Sequence, residues 1–308
     1  MTEYLQYFEL NAAPFSLAPR TESFFASFTH ERLIAAVDAL VKRRDGGMCV
    51  LGDSGTGKTL LSLIVAKRQL NQGNVVCYIN ARECVDGGII AAVASSLGAE
   101  FDDEQEAARM IEAACGQLAL RGRRLLVVVD DADILNFGGI TGLSVLAGIT
   151  ADDEKLVSLV LFARKSFVKK LGGKEYRALR KKLFYYYLPN LTKAESLGYL
   201  QYRIWQAKGA VMQHENIKVF DKKALAYVSK LAGGNPAFMN MLADRSMHEV
   251  FIQGRFQIVK SDIRRALKSQ PLLWPFLKPR RQHMVVLALF VFMVAVNIAL
   301  VYMVLSSR

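Results

Sequence analysis

The feature that most constrains this chain is the segment Gly52-Asp53-Ser54-Gly55-Thr56-Gly57-Lys58-Thr59, which fits the P-loop pattern G-x-x-x-x-G-K-[ST]. The apolar run 48–51 before it is typical of a buried strand, and residues 60–68 have the periodicity of an amphipathic helix. Glycines let backbone N–H groups turn inward around phosphate oxygens, and the helix N-terminus adds its positive dipole end. The pattern in this context predicts a nucleoside triphosphate site.

The expected phosphate and metal contacts follow from the chemistry of the loop. Lys58 is expected to reach the β- and γ-phosphates and so to take part in catalysis, and the Thr59 hydroxyl to ligate Mg²⁺. The residues predicted to contact the nucleotide are the loop and the first helical positions: Gly52, Asp53, Ser54, Gly55, Thr56, Gly57, Lys58, Thr59 and Leu60.

A second motif follows a very apolar run at 125–129, which ends in Asp130-Asp131-Ala132-Asp133. Ligands of open parallel sheets bind outside the carboxyl ends of the strands, so this acidic turn is expected beside the P-loop. Asp130 is then predicted to hold Mg²⁺ through water, and Asp131 to act as the base that polarises the attacking water. The alternative is a strand that ends in a solvated acidic turn; the P-loop upstream favours the metal-binding interpretation.

The order of elements predicts an α/β fold. Runs at 74–80, 125–129, 156–162 and 184–188 read as further strands separated by helices, which indicates a parallel sheet with helices on both faces. From the capping box Thr192 to Glu195 onward the period is helical, and a helical lid behind a P-loop sheet is the AAA+ plan. The predicted domains are a leader packed on the core (1–46), a P-loop AAA+ domain (47–190), a C-terminal helical lid (191–268), a basic linker (269–283) and a transmembrane helix (284–305).

Charge is divided unevenly along the chain. Residues 1–163 carry 14 Lys and Arg against 21 Asp and Glu, whereas residues 164–282 carry 25 against 7. Such asymmetry predicts that the second half faces something anionic, with nucleic acid and the inner face of a membrane as the two candidates.

The segment 284–305 favours the membrane. Its 22 residues include no charge and one polar residue, Asn297. At about 1.5 Å per residue such a helix spans a bilayer core of about 30 Å. The preceding residues 278–283 are basic, so the positive-inside rule places the large N-terminal domain in the cytoplasm. A single-pass membrane protein in contact with membrane lipids is therefore predicted, with nucleic acid as the less favoured partner.

Further motifs carry a family resemblance over residues 4–267. They are Tyr4, Phe8 and Leu10, the segment 14–17, the pairs 24–25 and 30–31, the P-loop, the Asp130 strand, and the segments 179–183, 188–195, 233–236 and 243–245. In this collinear order the chain resembles the ExeA-type (general secretion pathway protein A) AAA+ ATPases, which are related to the TnsC/TniB-like transposition ATPases. The resemblance implies that ATP and Mg²⁺ are bound and that ATP is hydrolysed.

The same resemblance implies a cytoplasmic ATPase domain followed by a membrane helix, a ring-like homo-oligomer, and inner-membrane envelope-machine proteins as partners. Assembly or regulation of a secretion system or pilus is the expected role. Two alternatives stay open: a DNA-binding regulatory ATPase of the transposition type, and a nucleotide-held scaffold with little hydrolysis.

Three positions depart from the family pattern at the expected site. Asp131 stands where the family usually has Glu, Arg164 where it has a Gln, and Ala237 where an Arg of the lid is expected to reach the γ-phosphate. A fourth departure concerns the neighbouring subunit. Lys182 aligns with the family's Arg, which leaves Arg180 or Arg177 as the trans-acting arginine finger. An arginine finger contributes about 10³–10⁵ in rate, and Lys does not copy its fork geometry. Intact binding of Mg²⁺ and ATP with slow hydrolysis is therefore expected.

Overall fold

The computed structural model describes residues 3–84, 88–151, 154–208 and 219–269. Its strands are β1 (Gly47–Gly52), β2 (Val75–Asn80), β3 (Leu125–Asp130), β4 (Thr150–Ala151), β5 (Glu154–Lys155), β6 (Val157–Ala163) and β7 (Leu183–Leu188). Five of them form a parallel sheet in the order β2-β3-β6-β1-β7, and β4 pairs with β5 in a separate antiparallel ribbon. The predicted parallel sheet is confirmed.

The helices lie on both faces of the sheet and in a C-terminal bundle. They are α1 (Glu3–Tyr7), α2 (Phe28–Arg43), α3 (Lys58–Asn71), α4 (Gly88–Ser96), α5 (Glu104–Leu120), α6 (Phe137–Leu146), α7 (Phe167–Lys170), α8 (Arg177–Lys181), α9 (Lys193–Lys208), α10 (Lys222–Ala232), α11 (Pro236–Ile252) and α12 (Lys260–Lys268). The short helices α7 and α8 and the glycine-rich α6 were not predicted, because short or glycine-rich segments give a weak periodic signal.

Residues 29–43 have the sequence pattern of an amphipathic helix capped by Thr29, but α2 begins at Phe28 and its N-cap is Ser27. The Ser27 hydroxyl accepts from the backbone N–H of His30, and the His30 ring accepts in return from the backbone N–H of Ser27, both at 3.4 Å. The predicted cap was wrong because this reciprocal capping pairs a hydroxyl with an imidazole, where the usual capping box has Glu or Gln.

The two faces of the sheet are buried by different helices. In β1, Cys49 and Leu51 point into a core shared with α4, α5 and α6, while Met48 and Val50 point into a core shared with α2 and α3. This alternation follows from the two-residue period of a strand. Because both faces are covered, the strands read as continuous apolar runs in the sequence.

A third core joins the lid, α9–α12, to the start of the chain. Phe8 and Phe15 are almost fully buried among lid residues such as Phe238 and Met239, and α1 packs against α11. The leader, expected as one unit on the nucleotide-binding domain, thus divides between two cores: residues up to Phe15 belong to the lid, and α2 belongs to the sheet.

Among the helices of the described residues, none combines the length and apolar composition that a membrane crossing needs. The predicted transmembrane helix (284–305) and the predicted linker beyond residue 269 lie outside the described residues.

Candidate nucleotide-binding site

The P-loop connects the carboxyl end of β1 to the start of α3. Gly55 and Gly57 have φ angles of 79° and 92°, a left-handed conformation that glycine adopts without a Cβ clash. Lys58 lies folded across the loop, and its Nζ donates to the carbonyl oxygens of Gly52 at 3.0 Å and Asp53 at 2.9 Å. Burial lowers the pKa of Lys58, and the surrounding carboxylates oppose that shift. The ammonium thus lies at the centre of the loop, where phosphate oxygens can replace the carbonyls.

Asp130 ends β3 with its side chain buried beside the loop. Its exposed fraction is 4%, and its Oδ1 is buried without a hydrogen-bond partner among the described residues. Burial raises the pKa of Asp130, and a hydrogen bond with the Thr59 side chain partly offsets the shift. An unpaired buried carboxylate oxygen is unfavourable and would be satisfied by a cation.

The donor set at this place suits Mg²⁺. This ion is typically held by one or two protein oxygens together with substrate phosphates and water. The described residues contain no group of three or more His, Cys, Asp or Glu side chains that would hold a metal by themselves. Thr59 and Asp130, predicted together from distant motifs, are in hydrogen-bonding contact in the structure, and they fit a cation shared with a bound nucleotide.

Asp131, the predicted base, occupies a strained position and already has a partner. Its backbone is left-handed, with φ 52° and ψ 36°, which is uncommon for a residue other than glycine. The Arg82 Nε donates to its Oδ2 at 2.7 Å, and both side chains line the same cavity. Sequence reasoning missed Arg82. It follows β2, the strand paired with β3, so its proximity to Asp131 depends on strand order, which the sequence did not reveal.

Arg164, which stands where the resemblance leads one to expect a Gln, also lines the cavity. Its backbone N–H donates to Asp133 Oδ1 at 2.9 Å and its Nε donates to Asp133 Oδ2 at 2.6 Å. The bond to Asp133 raises the pKa of Arg164. Lys165 pairs with Asp53 of the P-loop at 2.9 Å. The two residues that follow β6 therefore form ion pairs with two parts of the site: Arg164 with Asp133 of the acidic turn, and Lys165 with Asp53 of the P-loop.

The lid docks directly on the P-loop. The Asn235 side chain donates to the Ser54 carbonyl at 2.8 Å, and the Ala237 backbone N–H donates to the Gly55 carbonyl at 3.1 Å. A Cβ placed on Gly55 would lie 2.8 Å from the Ala237 Cβ. The position where the family has a lid arginine thus lies in backbone contact with the P-loop.

A cavity of about 420 Å³ extends from the P-loop to the leader and the lid. This volume is typical of a small-molecule site. Its far end is lined by the leader residues 16–20, Phe24, Phe25 and His30, and by lid residues that include Tyr199 and Asn240. His30 both caps α2 and borders the cavity. Burial lowers its pKa, which favours the neutral imidazole.

Arg203 fastens the leader to the lid beside this cavity. Its buried guanidinium donates to the carbonyls of Pro14 at 2.6 Å and Ser16 at 3.1 Å, and to the Tyr199 hydroxyl at 3.0 Å. The Tyr199 hydroxyl in turn donates to Asn240 Oδ1 at 2.8 Å. Arg203 was also missed from the sequence, because its partners are backbone carbonyls almost two hundred positions away.

The predicted finger residues lie elsewhere. Arg180, on α8, does not line the cavity of its own chain, and its Nη1 donates to the Leu171 carbonyl at 3.0 Å. Arg177 is exposed on the same helix, and the Lys182 Nζ donates to the Ala147 carbonyl at 3.0 Å. A role for Arg180 or Arg177 in a neighbouring subunit stays a prediction.

Comparison with known proteins supports the predicted AAA+ ATPase domain. A family model described as an AAA domain matches residues 41–171. General secretion pathway protein A of Aeromonas hydrophila is 27% identical over 265 residues, which cover 84% of this chain and 47% of that protein. The resemblance to ExeA-type AAA+ ATPases is confirmed. The chain spans about half the length of this ExeA-type relative.

Solved structures show the same fold at low identity. Cdc6p of Pyrobaculum aerophilum superposes with a TM-score of 0.62 at 19% identity, over 83% of this chain and 70% of that one. ORC1 of Aeropyrum pernix in complex with DNA gives 0.55 at 19%, over 86% and 69%. The Holliday junction branch migration motor RuvB of Thermotoga maritima gives 0.52 at 15%, over 85% and 73%. These likenesses establish the fold of this chain and nothing more specific.

Proposed function

We propose that this chain is a membrane-anchored AAA+ ATPase that binds ATP with Mg²⁺, hydrolyses it slowly, and assembles or regulates a cell-envelope machine such as a secretion system or pilus. The observation that carries the nucleotide part is the buried, unpaired Asp130 oxygen beside Thr59 at the P-loop. A carboxylate in that position is costly in the free protein. A cation delivered with a nucleotide would satisfy it.

Each residue of the proposed site has a definite task. Thr59 and Asp130 would hold Mg²⁺, which when bound neutralises phosphate charge. Lys58 would exchange its contacts with the Gly52 and Asp53 carbonyls for phosphate oxygens. Asp131 would orient the attacking water once its carboxylate has left Arg82.

Three features support slow hydrolysis. Arg82 occupies the carboxylate of Asp131, Ala237 offers no side-chain cation from the lid, and Arg164 is engaged by Asp133. The pairing of Arg82 with Asp131 also favours a second candidate, a nucleotide-held scaffold in which ATP mainly stabilises the fold.

The envelope role rests on two supports of a different kind. One is the similarity to a protein named general secretion pathway protein A. The other is the uncharged run 284–305 behind a basic segment, which favours a single-pass inner-membrane location with the AAA+ domain in the cytoplasm. Membrane lipids, envelope-machine proteins and further copies of this chain in a ring are the proposed partners.

The test is ATP turnover by the full chain in detergent, measured over a range of protein concentrations. Turnover that rises steeply with concentration and is lost in Asp131→Asn would support a ring in which Asp131 is the base. Flat, negligible turnover with intact ATP binding, not improved by Asp131→Glu, would overturn the ATPase proposal and leave the scaffold.

Mixing two inactive variants tests the trans-acting finger. Arg180→Ala keeps the base and Asp131→Asn keeps the finger, so a mixture should regain turnover if Arg180 acts on a neighbouring site. Arg177→Ala is the matched variant on the same helix. If Arg177→Ala loses turnover and Arg180→Ala does not, the finger is Arg177.

A further inference from the structure

A cationic surface lies on the lid, away from the nucleotide cavity, where α10 and α12 pack together. On α10, Lys223 and Lys230 flank Tyr227 at spacings of four and three residues, which place all three side chains on one helix face. Both lysines are exposed, and Tyr227 is half-buried between the helices.

Helix α12 contributes three more cations to the same surface. Lys260, Arg264 and Lys268 follow one another at intervals of four residues and are all exposed. The Lys260 Nζ lies 5.0 Å from the centroid of the Tyr227 ring, and the Arg264 guanidinium carbon lies 5.6 Å from it. These two contacts join both helices into one surface. We call it the lid cationic face: Lys223, Lys230, Lys260, Arg264 and Lys268 around Tyr227.

The charge of this face is not neutralised from within the protein. In the described part of the chain, none of its five cations lies within ion-pair distance of a carboxylate. The nearby acids are used otherwise. Asp262 is fully buried and pairs with Arg255 and Arg265, Asp221 caps the first turn of α10, and Glu249 accepts a hydrogen bond from the last described residue. An anionic partner would therefore meet five uncompensated charges.

We infer that the lid cationic face lies on the anionic headgroups of the membrane to which the chain is anchored. The inference rests on the proposed anchoring. The chain continues from α12 through residues 269–283, which include Lys278, Arg280 and Arg281, into the apolar run 284–305. Fully extended, that connection spans at most about 50 Å. The tether keeps the face near a leaflet whose negative potential attracts Lys and Arg within about a Debye length. Nucleic acid offers the same charge, but no described residue is seen to hold it near this face, whereas the proposed anchor holds the membrane there, so the membrane is favoured.

The test uses the full chain in two kinds of vesicle, phosphatidylcholine alone and phosphatidylcholine with about one-third phosphatidylglycerol. Lysines are acylated for a short time, and each modification is measured by mass spectrometry. On the anionic vesicles, we expect four lysines to be acylated at about one-third of their rate on neutral vesicles, or more slowly still: Lys223, Lys230, Lys260 and Lys268. Salt at ~0.5 M should restore their reactivity. Lys67 and Lys193, exposed on α3 and α9, are internal controls whose rates should not change.

A triple variant makes the test specific to the face. Lys260→Gln, Arg264→Gln and Lys268→Gln together should remove the protection of Lys223 and Lys230. A control variant with Lys67→Gln and Lys193→Gln should leave that protection unchanged. All of these positions are exposed, so folding is preserved in both variants.

Resistance to alkaline carbonate, measured on the same vesicles, reports the anchoring independently. A chain that resists extraction but shows equal labelling on both vesicles overturns the inference and leaves the anchor. A chain that is extracted but protected on anionic vesicles overturns the anchor and keeps the lipid contact; one that is extracted and unprotected overturns both. Protection by duplex DNA on neutral vesicles, without protection by phosphatidylglycerol, would assign the face to nucleic acid instead.

Discussion

Docking of the lid on the P-loop makes a sharp prediction for two neighbouring glycines. Gly55 and Gly57 both have positive φ, so alanine at either position costs about 1–2 kcal/mol in the left-handed region. Their surroundings differ. A Cβ on Gly57 meets no atom within 4 Å, whereas a Cβ on Gly55 would lie 2.6 Å from Asn235 Oδ1 and 2.8 Å from the Ala237 Cβ. Gly57→Ala is therefore the matched control for backbone strain.

Relief of the clash at Gly55 requires the start of α11 to move away. That movement breaks the bonds from Asn235 to the Ser54 carbonyl and from Ala237 to the Gly55 carbonyl. Each bond contributes about 0.5–1.5 kcal/mol net, so Gly55→Ala should destabilise the chain by about 1–3 kcal/mol more than Gly57→Ala. For a protein of this size each kcal/mol lowers Tm by about 2–4 °C.

The assay is thermal unfolding of the full chain in detergent without nucleotide, followed by circular dichroism. Asn235→Ala should lower Tm by itself, and its effect should be smaller in the Gly55→Ala background, since the two changes share contacts. Equal Tm losses in Gly55→Ala and Gly57→Ala, with additive effects of Asn235→Ala, would refute a lid docked on the P-loop.

Three further predictions concern charges at the site. Arg82→Ala should raise basal turnover by up to about fivefold, because a partly exposed ion pair contributes at most about 1 kcal/mol and its loss frees Asp131; a large fall in turnover would mean that Arg82 serves catalysis instead. Lys58→Ala should abolish the rise in Tm on adding ATP with Mg²⁺, and an unchanged rise would place the nucleotide elsewhere. Burial raises the pKa of Asp130, so its protonated form stabilises the free chain at low pH, and that stability is lost as pH rises through the raised pKa. The loss should disappear in Asp130→Asn, as urea midpoints measured against pH will show; identical profiles for the two chains would contradict the assignment.

Local chemistry explains how much the sequence alone predicted. The P-loop and the Asp130 strand are contiguous patterns, and their parallel-strand context restricts both to one edge of the sheet. The parallel arrangement of the strands and the capping box at Thr192 followed from periodicity and turn chemistry, and the structure confirms them. These properties depend on neighbours within a few positions, which is why a single sequence contains them.

Contacts between distant segments were decided by the tertiary structure. Arg82 meets Asp131 because β2 and β3 are adjacent, Arg203 binds the Pro14 carbonyl because the leader packs on the lid, and Ala237 reaches the P-loop because the lid folds back over the sheet. Each pairing depends on how whole elements pack. The residue types do not show which backbone carbonyl will accept a hydrogen bond or which residue other than glycine will have a left-handed φ. The sequence alone thus predicted a nucleotide site and its metal ligands. The packing of the leader and lid decided which side chains surround that site, and the strand order decided which side chain pairs with Asp131.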